Sequence, residues 1–250
     1  MREEEFITLA LEKASTEEEL IRLRAGVPLG LDAGGAFALS QTCEHTYTCE
    51  HTCVTGSRRS VFIRRLICLL SCLYDNTTAN VLVLSPRAEY GELLRLHGAD
   101  ITVPYVRSKE DLQLGRACLQ ELLTQYASGG KYPKLFLVLD ALEELPACND
   151  GGVLEEYRTI LELVAREKNV HVITGVDLMK SIFSGNPGVF VGVGNCLVTT
   201  REEDRADVTY VKDDMSLSVP VAISYPDAPS LTETIIYLNA KAAKTASEEE

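Results

Sequence analysis

Short, nearly unbroken apolar runs alternate with helix-like segments along this chain, and that alternation limits what it can fold into. Leu135-Phe136-Leu137-Val138-Leu139 runs into Asp140, and Val81-Leu82-Val83-Leu84 and Val170-His171-Val172-Ile173 have the same form. Runs of this length read as strands buried on both faces, the habit of a parallel sheet. Between them, Val61, Phe62, Ile63, Leu66 and Ile67 mark the buried face of a helix expected from about 57 to 74. Leu112, Leu119, Leu122, Leu123 and Tyr126 stripe a second helix, expected over 108–128 and capped by Ser108 with Asp111. A third helix is expected to end near Lys168. Strands are expected at 48–54, 80–84, 134–140, 170–174, 189–193, 196–199 and 208–211. The pattern predicts an α/β fold with a mostly parallel sheet flanked by helices.

Outside these elements the chain divides by composition. Residues 1–25 form an acidic helical segment, with Ser15 and Glu18 in capping-box spacing. Gly26 to Gly35 reads as a turn-rich lead-in, and a polar loop holds Cys148-Asn149-Asp150-Gly151-Gly152. Residues 26–240 make the α/β domain, and 241–250, rich in alanine and glutamate, is expected to be a disordered tail. A chain of 250 residues is long enough to bury a sizeable core as one unit.

Residues 53–60, Cys-Val-Thr-Gly-Ser-Arg-Arg-Ser, stand between an expected strand and an expected helix, where a phosphate-binding loop would lie. That loop has the pattern G-x-x-x-x-G-K-[ST]. Here Cys53 and Arg58 hold the glycine positions, Arg59 holds the lysine position, and Ser60 is kept. Glycine lets backbone amides wrap a phosphate without an interfering Cβ. Lysine is a compact charge, whereas arginine is longer and planar and does not replace it neutrally. Thr55, Gly56, Ser57, Arg58, Arg59 and Ser60 are therefore the candidate nucleotide-binding residues of an altered loop. Ser60 and Asp140 are its candidate magnesium-side groups.

Taken in order, these segments resemble the motor domain of FtsK/SpoIIIE-type DNA translocases, a family that includes the ATPases of type VII secretion and conjugation. Thr55–Ile63 resembles T-G-S-G-K-S with the apolar residues that follow it, and Val27-Pro28-Leu29-Gly30-Leu31-Asp32 is similar to the family's V-P-L-G-x-D lead-in. Leu82–Arg87 resembles its second strand, with Ser85 where an acid is usual. Leu139–Leu145 resembles I-D-E-[LF]-x-D-L with Ala141 in the glutamate position, and His171–Gly175 resembles H-L-V-L-A without the T-Q that follows. The likeness spans about residues 27–215. It implies a RecA-like P-loop NTPase fold, with ATP and magnesium as the family's cofactors. In phosphoryl transfer one acid helps to hold magnesium while the next acid, or a glutamine, positions water. Asp140 and Ser60 survive, but the loop glycines, the lysine, the glutamate and the glutamine do not, so no residue is assigned a catalytic role.

Acids outnumber bases 37 to 24, for a net charge of −13. That balance argues against unaided DNA binding, which rests on clustered lysine and arginine. The dense basic cluster, Arg58, Arg59, Arg64 and Arg65, reads as the solvated start of a helix or, alternatively, as a site for an anion or acidic partner. The N-terminus lacks the form of a signal peptide, and the apolar stretch Leu66–Tyr74 is too short to span a bilayer, so a cytoplasmic protein is expected. Cys43, His45, Cys49, His51 and Cys53 fall on alternate positions and would line one face of a strand. They lack the C-x2-C and H-x3-H spacings of structural zinc, so no metal ligand is assigned. Cys68, Cys72, Cys118 and Cys196 lie in apolar stretches and read as small core residues.

Together these features predict a pseudo-ATPase that serves as a protein-interaction or scaffold subunit of a motor or secretion assembly. Its expected partner is an active FtsK-like motor or another copy of itself. The alternatives are a nucleotide-binding switch without turnover and an active DNA translocase with atypical motifs.

Overall fold

In the computed structural model, the described residues are 16–24, 27–31, 37–40, 50–129, 133–145, 152–165, 167, 169–177, 196–200, 205–212 and 215–222. The apolar runs become β3 (Glu50–Thr55), β4 (Ala79–Leu84), β6 (Lys134–Asp140), β7 (Val170–Val176) and β8 (Cys196–Thr200). With the short β5 (Asp100–Thr102) they stand side by side in the order β8-β3-β7-β6-β4-β5, every pair parallel. Beyond β8 the sheet continues through β9 (Arg205–Lys212), β10 (Met215–Ala222), β1 (Val27–Leu31) and β2 (Phe37–Ser40), all antiparallel. The α/β class and the mostly parallel sheet are as expected.

Both faces of the parallel block are covered, which explains its unbroken apolar runs. On β6, Phe136 and Val138 enter one core with Val54, Ile173 and the inner face of α2 (Arg59–Leu73). Leu135, Leu137 and Leu139 enter the other, with Leu112 and Leu119 of α3 (Lys109–Gly129) and Tyr157 and Ile160 of α4 (Gly152–Val164). The N-cap of α3 forms where expected, with the Asp111 amide donating to Ser108 Oγ at 3.2 Å. The Asp111 carboxylate accepts from the Arg107 amide at 2.9 Å. The helix before β1, α1 (Glu17–Arg24), belongs to the α2 core through Leu23. Arg24 Nε donates to the Leu73 carbonyl at 2.7 Å, and Tyr74 Oη donates to the Arg24 carbonyl at 3.0 Å.

Several expectations are corrected. Residues 27–31, expected as turns, form β1. Val27 and Leu29 are buried, but Pro28 and the register shift between Pro28 and Gly30 disguise the alternation. β9 begins at Arg205, before the expected 208, because its ladder with β10 runs the whole length of both strands. The alternation of Met215, Leu217, Val219 and Val221 that marks β10 was open to reading in the sequence. β5 is too short to leave a pattern. Among the helices, α2 starts at Arg59 and α4 ends at Val164. The strand expected at 189–193, the polar loop residues 148–151, Cys43, His45, Cys49 and the 241–250 tail lie outside the described residues. Among the described residues, no helix is long and apolar enough to cross a membrane.

Candidate functional site

The six loop candidates run from the last residue of the central strand into the helix that follows it. Cys53, Val54 and Thr55 are still strand, opposite Thr174, Gly175 and Val176 of β7 on one side and Leu197, Val198 and Thr199 of β8 on the other. Gly56, Ser57 and Arg58 alone connect β3 to α2, closed by a hydrogen bond of 3.3 Å from the Arg59 amide to the Gly56 carbonyl. The fold demands glycine at 56. Its φ is +102°, and a Cβ there would stand 2.3 Å from Thr200 Oγ1 and 2.4 Å from the Thr200 carbonyl oxygen. The Thr200 hydroxyl donates to the Thr55 carbonyl at 2.8 Å and ties the end of β8 to the end of β3. Arg58 precedes the helix without making a side-chain cap, and Ser57 is exposed. Cys53 is buried, and that burial pushes its thiol up to about 11, so it stays neutral.

Asp140 closes β6 at the same edge of the sheet and is 0% exposed. Its Oδ2 accepts from Ser60 Oγ at 2.6 Å and from Tyr90 Oη at 2.9 Å. Its Oδ1 makes no hydrogen bond and faces Arg59 Nε at 3.5 Å. Thus the structure brings Arg59, Ser60 and Asp140 together. Arg59, itself buried, points its guanidinium into a group of acids: Nη2 donates to Glu143 Oε1 at 2.6 Å and lies 3.5 Å from Glu144 Oε1. Arg87 Nη2 donates to the same Glu144 oxygen at 2.7 Å, and the Asp177 amide donates to Glu143 Oε1 at 3.0 Å. Burial pushes the Asp140 carboxyl up, against the pull of the Ser60 hydroxyl, Arg59 and Tyr90. Burial also raises Glu143, opposed chiefly by Arg59. Tyr90 is driven well above its ordinary value by burial and by the Asp140 charge beside it, so it acts as a neutral donor.

In the sequence, Glu143 and Glu144 are the only acids near enough to Asp140 to replace the missing glutamate, and both lie past its expected position; Tyr90 has no role there. Nothing in the sequence around Tyr90 signals its contact, which arises because the 3-10 segment Ala88–Arg95 packs against α2. Gly175 ends the segment His171–Gly175, and its role emerges only from the packing of Asp140 against it.

The donor set does not suit the magnesium that the resemblance implies. The Ser60 hydroxyl directs its proton to Asp140, and a guanidinium already faces the free carboxylate oxygen. Among the described residues no group of His, Cys, Asp or Glu is arranged to hold a metal ion. The residues as they stand do not fit the ion. Of the alternating cysteine and histidine set, only His51 and Cys53 are described, both on β3.

No family model and no curated protein matches the chain. Solved structures do match. EssC (ATPases 2 and 3) from Geobacillus thermodenitrificans superposes with a TM-score of 0.51 at 15% identity, covering 81% of this chain and 42% of that one. The cytoplasmic domain of the type VII secretion ATPase EccC from Thermomonospora curvata gives 0.58 at 12% identity, covering 82% and 26%. The pCW3 conjugation coupling protein TcpA, in its monomer form with ATPγS, gives 0.53 at 13% identity, covering 90% and 73%. The chain spans less than half the length of the two secretion ATPases. Its fold is that of the type VII secretion and conjugation ATPases, the FtsK/SpoIIIE-type motors that its sequence resembles.

Proposed function

We propose that this chain is a non-hydrolysing member of a motor or secretion assembly, acting in the cytoplasm by binding protein. The observation that carries this reading is the extent of β3. A phosphate-wrapping loop needs free amides over several residues, whereas Cys53, Val54 and Thr55 are laddered on both sides. Arg59 adds to it, because its guanidinium is engaged with carboxylates and not turned toward the loop. The charge of −13 argues against unaided binding to a nucleic acid. The partner is a second copy of this chain or an active motor of the same fold. In this reading residues 26–240 are the binding module, preceded by the acidic segment 1–25 and followed by 241–250.

A second reading, a nucleotide switch without turnover, draws support from the Ser60–Asp140 contact of 2.6 Å, which keeps together the pair that would stand on the magnesium side. Magnesium-ATP separates the two. Under the first reading the melting temperature is unchanged by millimolar ATP, and hydrolysis stays at background. A ligand that binds only the folded state at 100 times its Kd stabilises by about 2.7 kcal/mol, so a rise of several degrees without turnover selects the switch. Turnover of about 1 per second or faster, an ordinary enzymatic rate, rejects both.

A further inference from the structure

Helix α2 has no acid in its first turn and no base in its last. At its C-terminal end the missing cation comes from α1. Arg24 Nε donates to the Leu73 carbonyl at 2.7 Å, a cap that suits the negative end of the helix dipole. Tyr74 Oη returns a hydrogen bond of 3.0 Å to the Arg24 carbonyl, and the guanidinium lies 5.4 Å from the centre of the Tyr74 ring. Tyr74 in turn stands edge-on against Phe136 of β6 at 5.4 Å, which holds its hydroxyl in place. Besides this clasp, α1 contributes Leu23, which is buried, and Leu20, which packs against the same core, while Ile21 is 62% exposed. Eight residues are too few for a helix that is stable alone, so α1 depends on its docking to stay helical.

We propose that α1 is a displaceable latch over an interaction slot, and that the slot takes α1 from a second copy of this chain. Its present occupant defines what fits: a short helix with leucines at 20 and 23 and an arginine directly after the second. The leucines meet the apolar core, and the arginine meets the Leu73 carbonyl and the Tyr74 hydroxyl. Lifting α1 opens the slot and deprives the Leu73 carbonyl of its donor, so an undocked chain is complementary to the α1 of its neighbour. Exchange of an identical element needs no new contact, because the same bonds form between two chains. Only Ala25 and Gly26 stand between α1 and β1, so an exchanged helix ties the two copies closely together. The inference rests on the reading in which a second copy is a partner, and it names the surface. ATP turnover by the wild type rejects that reading without touching the slot.

A fluorescein-labelled peptide with the sequence of residues 15–25 probes the slot by fluorescence anisotropy, against wild type and the full-length double variant Leu23→Ser/Arg24→Gln. The variant, its own latch undocked, should bind the peptide with a Kd of about 0.1–1 mM. Wild type should bind at least about tenfold more weakly, because its own α1 competes at an effective concentration in the millimolar range. A peptide carrying Leu23→Ser should not bind. Equal binding by the two chains overturns the proposal, as does a folded variant that ignores the peptide or binds both peptides alike. Light scattering of concentrated wild type should show dimers that excess peptide disperses and that the variant does not form. A wild type that stays monomeric up to about 1 mM removes the second copy as occupant. Should the variant fail to fold, amide exchange in wild type decides. Residues 17–24 should exchange at least about tenfold faster than β6, and exchange of both at one rate would show that α1 does not lift separately.

Discussion

A Cβ placed on Gly175 would stand 1.9 Å from Asp140 Oδ1 and 2.8 Å from Ile63 Cδ1. Glycine there is what lets a buried carboxylate lie between β7 and α2. The Ala141 amide donates to the Gly175 carbonyl at 3.1 Å, which fixes the end of β6 against β7 just past the acid. Gly175→Ala is expected to lower stability by about 1–3 kcal/mol, the cost of forcing extra volume into a packed interior. Chemical denaturation measures this, and an unchanged midpoint would show that Asp140 moves aside freely. Ala141 itself sits at φ 59°, a left-handed conformation uncommon for a residue with a Cβ, and it is completely buried. Any longer side chain at 141, including the glutamate of the resembling motif, would meet both strain and burial.

The junction of β3 with α2 is decided between elements. α2 begins without a side-chain cap and without an acid in its first turn, and Arg58 and Arg59 stand at the end where the helix dipole disfavours positive charge. The acids after β6 offset this for Arg59, so two segments eighty residues apart in sequence depend on each other. β8 contributes the other restraint through Thr200. Thr200→Val keeps the shape but removes the donor to the Thr55 carbonyl, with an expected loss of about 1–2 kcal/mol. Amide exchange should then quicken in β3 and β8 before it does in β4 and β6. Uniform quickening through the sheet would count against a local clamp.

For the molecule as a whole, His51 sets a limit on the acid side. It lies partly buried on β3, and burial, followed by the charge of nearby His171, brings it down from 6.5 to about 4. The folded protein therefore keeps His51 neutral over a range in which the unfolded chain binds a proton. The stability this provides is present above pH 6.5 and is lost as the pH falls from 6.5 toward 4. The ceiling for that shift is about 3.4 kcal/mol. Urea denaturation at pH 7 and pH 4.5 should show the drop, and His51→Gln should flatten it. An equal drop in the variant would assign the acid sensitivity to other groups. Raised carboxyls work in the opposite sense: Asp140 and Glu143 are lifted by burial, so their share of stability falls as the pH rises through their raised values.

The elements that the sequence determined by itself are the strands buried on two faces and the helices with one apolar stripe. Leu135–Leu139 reads as a central strand because every residue is apolar, and α3 reads as a helix because its apolar residues repeat at helical spacing beside a cap at Ser108. Local chemistry also named Ser60 and Asp140, whose meeting at 2.6 Å depends only on a strand–loop–helix unit next to another parallel strand. Tertiary structure alone decided the rest. β1 exists because β10 and β2 pair with it despite Pro28 and Gly30. Tyr90 reaches Asp140 because a 3-10 segment packs against α2, and no local pattern encodes that approach. The direction of Arg59 could not be read from its neighbours in sequence either. A guanidinium turns toward whatever charge the fold brings near, and here the fold brings Asp140, Glu143 and Glu144.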